Sequence, residues 1–350
     1  MNKFFAIIAA VVLLAVSCGK DMLIESGDGP VSEVVLDIAS PSMFVKADIQ
    51  NADEAKVNSV QVFVFRGDEI DAYKSAGAVS SLTLSATQGV RDIYVVVNAP
   101  DLSSVSGKAA LLAGISNLTA DNASDSFVMV GSLTSQTLNA SYEKTVEVNR
   151  IAARIKISKV TRDFSASGAS ATDFKIVRFY ISNAVDNCKY DFSAPASLNW
   201  LNAEFANGGA ISTSNSFVYK KLSTAAPVSE DGSYSESQVF YVYPNELSSD
   251  ATTGNPPTYT GKATRLCVEV EIDGQKYVYP ICVGAIQCNK SYEISNLTLT
   301  RKGNPTDGDD VIDDEEDDPI AASSISLSVE VNDWTQVLTF GDVTGGEITI

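Results

Sequence analysis

The side chains that could do chemistry are few and unevenly placed. The 350 residues include no histidine, which removes the commonest general base, the Ser-His-Asp arrangements and the His-containing zinc sites. Asp, Glu, Lys or Ser could still support catalysis, but spacing assigns no carboxylate pair to acid–base work. Of the five cysteines, Cys18 has the plainest chemistry. It ends the run Leu14-Ala15-Val16-Ser17-Cys18, behind a basic start at Lys3 and an apolar stretch from Phe4 to Leu14. That order reads as an export signal over residues 1–18 closing in a lipobox, with the Cys18 thiol as the acylation site.

Export exposes Cys188, Cys267, Cys282 and Cys288 to an oxidising compartment. Their spacings match no zinc pattern. A two-residue turn at Asp273-Gly274 pairs Val270 with Tyr277 and Cys267 with Pro280. Cys282 is then diagonal to Cys267, a geometry that does not favour a bond, so free thiols and a disulfide both stay open. The run Asp313 to Asp318 lacks the spacing and glycine of an EF-hand loop. Its like charges repel, and it reads as a solvated linker. No metal or cofactor is expected. Lys46, followed by Ala47, is a basic residue between two strands and a candidate site of proteolysis.

The elements that would position these groups are strands. The formal net charge of −19 argues against a nucleic-acid partner. Val34, Leu36 and Ile38 alternate with Glu33, Val35 and Asp37 in a leading strand, and Val60 to Phe65 forms a stronger one. Asp92 to Asn98 is continuously apolar, as in a central strand buried on both faces. Lys108 to Leu112 suggests one short helix, and Phe127 to Val130 and Tyr142 to Val148 are further strands. The second half offers Arg150 to Ile157, Lys175 to Ser182, a loop-rich middle near 190–236, Val239 to Tyr243, a hairpin from Leu266 to Val283, and Tyr292 to Thr300. Ile325, Leu327, Val329 and Val331 alternate with polar residues in a trailing strand closed by Trp334. Many strands and tight turns predict an all-β chain of two β-sandwiches. No apolar run beyond the signal is long enough to span a bilayer as a helix.

In their order along the chain, several segments carry a family likeness. They are the lipobox, the strand ending in a basic residue before Ala47, Glu54-Ala55-Lys56-Val57, Ile93 to Asn98, Arg150-Ile151-Ala152-Ala153-Arg154-Ile155, Phe240-Tyr241-Val242-Tyr243-Pro244-Asn245, and Val329-Glu330-Val331-Asn332-Asp333-Trp334. Together they resemble the FimA-type fimbrillins of Bacteroidetes, the major subunits of type V pili, across nearly the whole chain. The resemblance implies two transthyretin-like β-sandwich domains at 47–149 and 150–302. A propeptide with a removable strand (Val34, Leu36, Ile38) covers 19–46, the acidic linker covers 303–322, and a donor-strand segment covers 323–350. It also implies a lipoprotein precursor on the outer membrane, cut after Lys46 by a trypsin-like surface protease and built into extracellular adhesive fimbriae. Better-known members carry Arg where this chain carries Lys46. The implied partners are other copies of the chain, accessory fimbrial subunits, and surface ligands of a host or another bacterium.

Physics allows the exchange that the resemblance implies. Withdrawing a strand exposes backbone groups and a row of apolar pockets, and an added strand recovers both. The linker of about twenty residues would reach on the order of 25 Å as a coil. The trailing strand has a plainer reading too, as the completion of its own sandwich. Two other functions are weighed beside a stalk subunit. One is an uncleaved anchor or accessory tip adhesin of the same family, and the other is a lipoprotein that processes glycans. An anchor has no need of a cleavable residue, and an enzyme needs convergent carboxylates in a concave site.

Overall fold

The structure, a computed structural model, describes residues 21–22, 29–40, 53–168 and 171–334. Among them regular structure is nearly all strand, and the longest helix, Lys108–Ala113, has six residues. The all-β expectation holds.

In the first half, Val60–Arg66 and Gly89–Val97 lie side by side, flanked by Glu69–Ala76 and Met129–Leu138. Facing them is a three-stranded sheet of Ser81–Thr87, Val31–Ala39 and Ser141–Glu147, with the leading strand in the middle. The alternation explains this packing. Val34, Leu36 and Ile38 point inward onto Val62, Val64 and Val95. The runs at 60–65 and 93–97 are apolar but for Gln61 because their sheet is covered on both sides. Its other face, with Phe63, Phe65 and Val96, joins a cluster that includes Ile155 and Val242 of the second half. Gly131 marks a close approach, since a Cβ there would meet the Glu147 carbonyl oxygen at 2.3 Å.

In the second half, one sheet runs Gln238–Val242, Ala153–Ile157, Lys290–Ile294, Glu330–Asp333. The same succession of segments repeats as Ser233–Tyr234, Val160–Arg162, Leu297–Leu299, Ile325–Ser326. The trailing segment is therefore an edge in both. A second sheet runs Tyr219–Pro227, Phe174–Ser182, Arg265–Ile272, Gln275–Cys282, Asn304–Thr306. Its hairpin has the expected register, with Val270 opposite Tyr277 and Cys267 opposite Pro280. Positive φ at Asp273 (49°) and Gly274 (82°) makes the tight turn that fixes it. Tyr219–Pro227, inside the stretch read as loops, is an edge strand with few buried side chains, so its sequence lacks strong alternation.

The acidic stretch differs from the solvated linker expected of it. Asn304–Thr306 pairs with Lys276 to Val278, and Asp314–Asp317 is one helical turn whose first residue follows the capping box of Asp313 and Glu316. Asp317 is buried among cations. One of its carboxylate oxygens lies 3.0 Å from Lys262 Nζ and 3.1 Å from Arg265 Nη1. The other accepts from Ser182 Oγ at 2.9 Å and from Asn183 Nδ2 at 3.1 Å. Asp250 takes the remaining edge of Arg265 at 2.6 Å. The cause of the difference is a pair of buried cations, far off in sequence, that take up one charge of the run.

Candidate functional site

The leading strand fills a slot. It pairs antiparallel with Ser81–Thr87 from Val31↔Thr87 to Asp37↔Ser81. On its other side it pairs parallel with Ser141–Glu147, from Glu33↔Ser141 to Ala39↔Glu147. Val34 and Leu36 are 0% exposed and Ile38 is 8% exposed. Leu84 lies opposite Val34 and Leu82 opposite Leu36, so each inward side chain sits in a pocket lined by its neighbours. All three predicted residues share one face, and that face is the centre of the first core.

The trailing segment is held differently. Ile325 and Ser326 pair with Leu299 and Thr298, and Glu330 to Asp333 pair with Glu293 to Lys290. Each of these ladders has a partner on one side alone. Ile325, Leu327 and Val329 are half-buried against the second core, while Ser326, Ser328 and Glu330 are exposed, as alternation predicts. Val331 is 52% exposed, although it lies opposite the core residue Tyr292 at this sheet edge. The ladder is interrupted between Ser326 and Glu330, and all four residues of Glu330–Asp333 are exposed. A cleft lined by Ile281, Ile320, Ile325, Leu327 and Val329 lies alongside, so this segment is loosely packed.

Trp334 then buries itself completely and brings the two ends of the body together. Its indole Nε1–H donates to Glu54 Oε2 at 2.8 Å, and its backbone N–H donates to the Asn289 carbonyl at 2.9 Å. Arg154 Nη1 lies 3.0 Å from the same Glu54 oxygen, and the Tyr241 hydroxyl donates to Oε1 at 2.6 Å. Arg150 donates from Nε to the Glu54 backbone oxygen at 2.8 Å and from Nη1 to the Trp334 backbone oxygen at 2.7 Å. Its guanidinium lies 4.3 Å from the Trp334 ring centroid, a cation–π contact. Burial pulls Arg150 down to about 10, while the nearby Glu54 carboxylate supports its charge.

Glu54, Arg150, Arg154, Tyr241 and Trp334 stand in four of the segments that carry the family likeness, and the fold makes one clamp of them. Sequence reasoning took Trp334 only as the end of a strand and gave Glu54 and the arginines no role. The available signal was a run of charged and aromatic residues at positions where a strand would otherwise be plain. Cys18, Lys46 and Ala47 lie outside the described residues.

Residues 39–159 match the family described as major fimbrial subunit protein (FimA). A candidate cell adhesion protein from Bacteroides eggerthii is 18% identical, with 89% of this chain and 98% of that one covered at a TM-score of 0.63. One from Parabacteroides distasonis is 16% identical, with 89% and 99% covered at 0.62. A fimbrilin from Porphyromonas gingivalis is 16% identical, with 88% and 99% covered at 0.61. At these identities the structural likeness speaks for the fold alone. No curated protein matches the chain by sequence.

Proposed function

We propose that the chain is a FimA-type fimbrillin, a reading supported by its matched segment and its fold, and that its leading strand is a placeholder for a neighbour's trailing strand. On that reading it is a structural fimbrial subunit of the cell surface that associates with other fimbrial subunits. The finer reading is that the precursor is a lipoprotein acylated at Cys18 and cut between Lys46 and Ala47. The cut frees Val31–Ala39 from the body. Ile325, Leu327 and Val329 of another copy, with Val331 completing the period, then enter the slot. The halves at 47–149 and 150–302 act as two transthyretin-like domains, and the chain has a structural and not a catalytic task.

One observation carries this reading: Val31–Ala39, which precedes the whole folded body from residue 53 on, is the middle strand of its sheet. Three aliphatic side chains leave the core with it, about 5–9 kcal/mol of burial at roughly 1.5–3 kcal/mol each. An emptied slot of that depth must be refilled, and an alternating apolar strand has the period to do it. Head-to-tail filling does not close on itself, so it yields filaments.

N-terminal sequencing of material sheared from the cell surface tests the processing. High-molecular-weight polymer beginning at Ala47 supports a stalk subunit. Monomer blocked at an acylated Cys18 supports the anchor reading and contradicts the stalk.

A further inference from the structure

We propose that Cys188 and Cys288 form a disulfide in the exported protein. The two thiols are close enough that Cys188 perturbs the ionisation of Cys288. They also meet at one turn: Cys188 Sγ lies 3.7 Å from the Ser193 carbonyl oxygen, and Cys288 Sγ lies 3.9 Å from the Phe192 carbonyl oxygen next to it. Both are free thiols in the structure, Cys188 buried and Cys288 partly exposed. The other two cysteines are placed apart from this pair. Cys267 is buried with its sulfur on Ser182 Oγ at 3.5 Å, and Cys282 is exposed opposite Arg265.

The location gives the bond a consequence. Cys188 belongs to Asn187–Lys189, which pairs with Ile115–Asn117 of the first half. Cys288 precedes Asn289, whose carbonyl receives the Trp334 N–H. A covalent link would tie the junction between the halves to the strand that carries the trailing segment. In a filament joined by strand exchange, pulling force crosses that junction between slot and donor.

The oxidant is a protein disulfide of the Cys-x-x-Cys class in the export compartment. The Cys288 thiol, the more accessible, loses its proton, and the thiolate attacks one sulfur of the oxidant. A mixed disulfide forms and the oxidant's other sulfur leaves as a thiolate. The Cys188 thiolate then attacks the Cys288 sulfur, forming the new S–S bond and expelling the oxidant's second thiolate. Two electrons and two protons pass to the oxidant, which becomes a dithiol. The neighbouring Cys188 thiol and burial both push the Cys288 thiol up, which makes it a poor leaving group, so the bond, once made, persists.

The inference rests on the surface location that the family gives and not on strand exchange, so the test reads pairing by mass whether or not fibres form. The full chain is exported, purified without reductant, treated with glutathione disulfide, alkylated in denaturant and digested. The expected result is one linked peptide pair containing Cys188 and Cys288 that reduction abolishes, with Cys267 and Cys282 alkylated. In Cys288→Ser protein the linked pair is lost and Cys188 becomes alkylated. Recovery of Cys188 and Cys288 both alkylated from the oxidised wild-type protein overturns the proposal, as does a Cys267–Cys282 link beside free Cys188 and Cys288.

Discussion

The leading strand Val31–Ala39 is held from both sides, and the trailing segment Ile325–Asp333 from one. Both alternate apolar and polar residues. The first buries Val34 and Leu36 completely, while the second leaves Ile325, Leu327 and Val329 half-buried beside an open cleft. A middle strand cannot fray away, since both ladders and its share of the core must break together. An edge segment can leave from one end while the sheet behind it stays intact. The contrast suggests unequal tasks: one strand departs only when cut, and the other stays until something better accepts it. The Trp334 clamp is the exception on the trailing side, a tight fastening at the end of a loose segment.

Several substitutions would break or sharpen this contrast. The largest effect is expected from Leu36→Asp, which buries an unpartnered carboxylate in the slot. It should cost more than about 4 kcal/mol and leave little folded precursor, measured by chemical denaturation. Asp317→Ala should cost about 3–5 kcal/mol by the same measurement, because Lys262 and Arg265 lose a buried counter-charge. Trp334→Ala should cost about 3 kcal/mol or less, below the usual range for a buried tryptophan, because the loose segment can detach instead of holding a cavity. Hydrogen exchange should speed up on the order of tenfold for amides at 330–333 and stay unchanged in Val31–Ala39. Val331→Ala, at an exposed edge position, should stay within about 0.5 kcal/mol of wild type. If it costs as much as Leu36→Ala, the two strands are not held differently and the contrast fails.

Much of this was legible in the sequence where the cause is local. Asp273-Gly274 fixed a hairpin register because a two-residue turn leaves few choices. Alternation at Val34, Leu36 and Ile38 predicted a buried face, since period two has only two faces to choose from. What escaped depends on residues far apart. Glu54 and Trp334 meet across 280 positions, and no local pattern announces that pairing. Asp317 looked like one more repelling charge, because its compensation comes from Lys262 and Arg265 on another element. Val331 continues the alternation in sequence, but its place on a sheet edge leaves it 52% exposed, which no local pattern announces.

The central claim concerns what occupies the slot between Ser81–Thr87 and Ser141–Glu147 in an assembled fibre. A density map of sheared fibres, at a resolution that distinguishes side chains, reads it directly. The account predicts the Ile325, Leu327 and Val329 side chains of a neighbouring subunit in the pockets that Val34, Leu36 and Ile38 fill in the precursor. Each subunit's own Val31–Ala39 still seated there would contradict it.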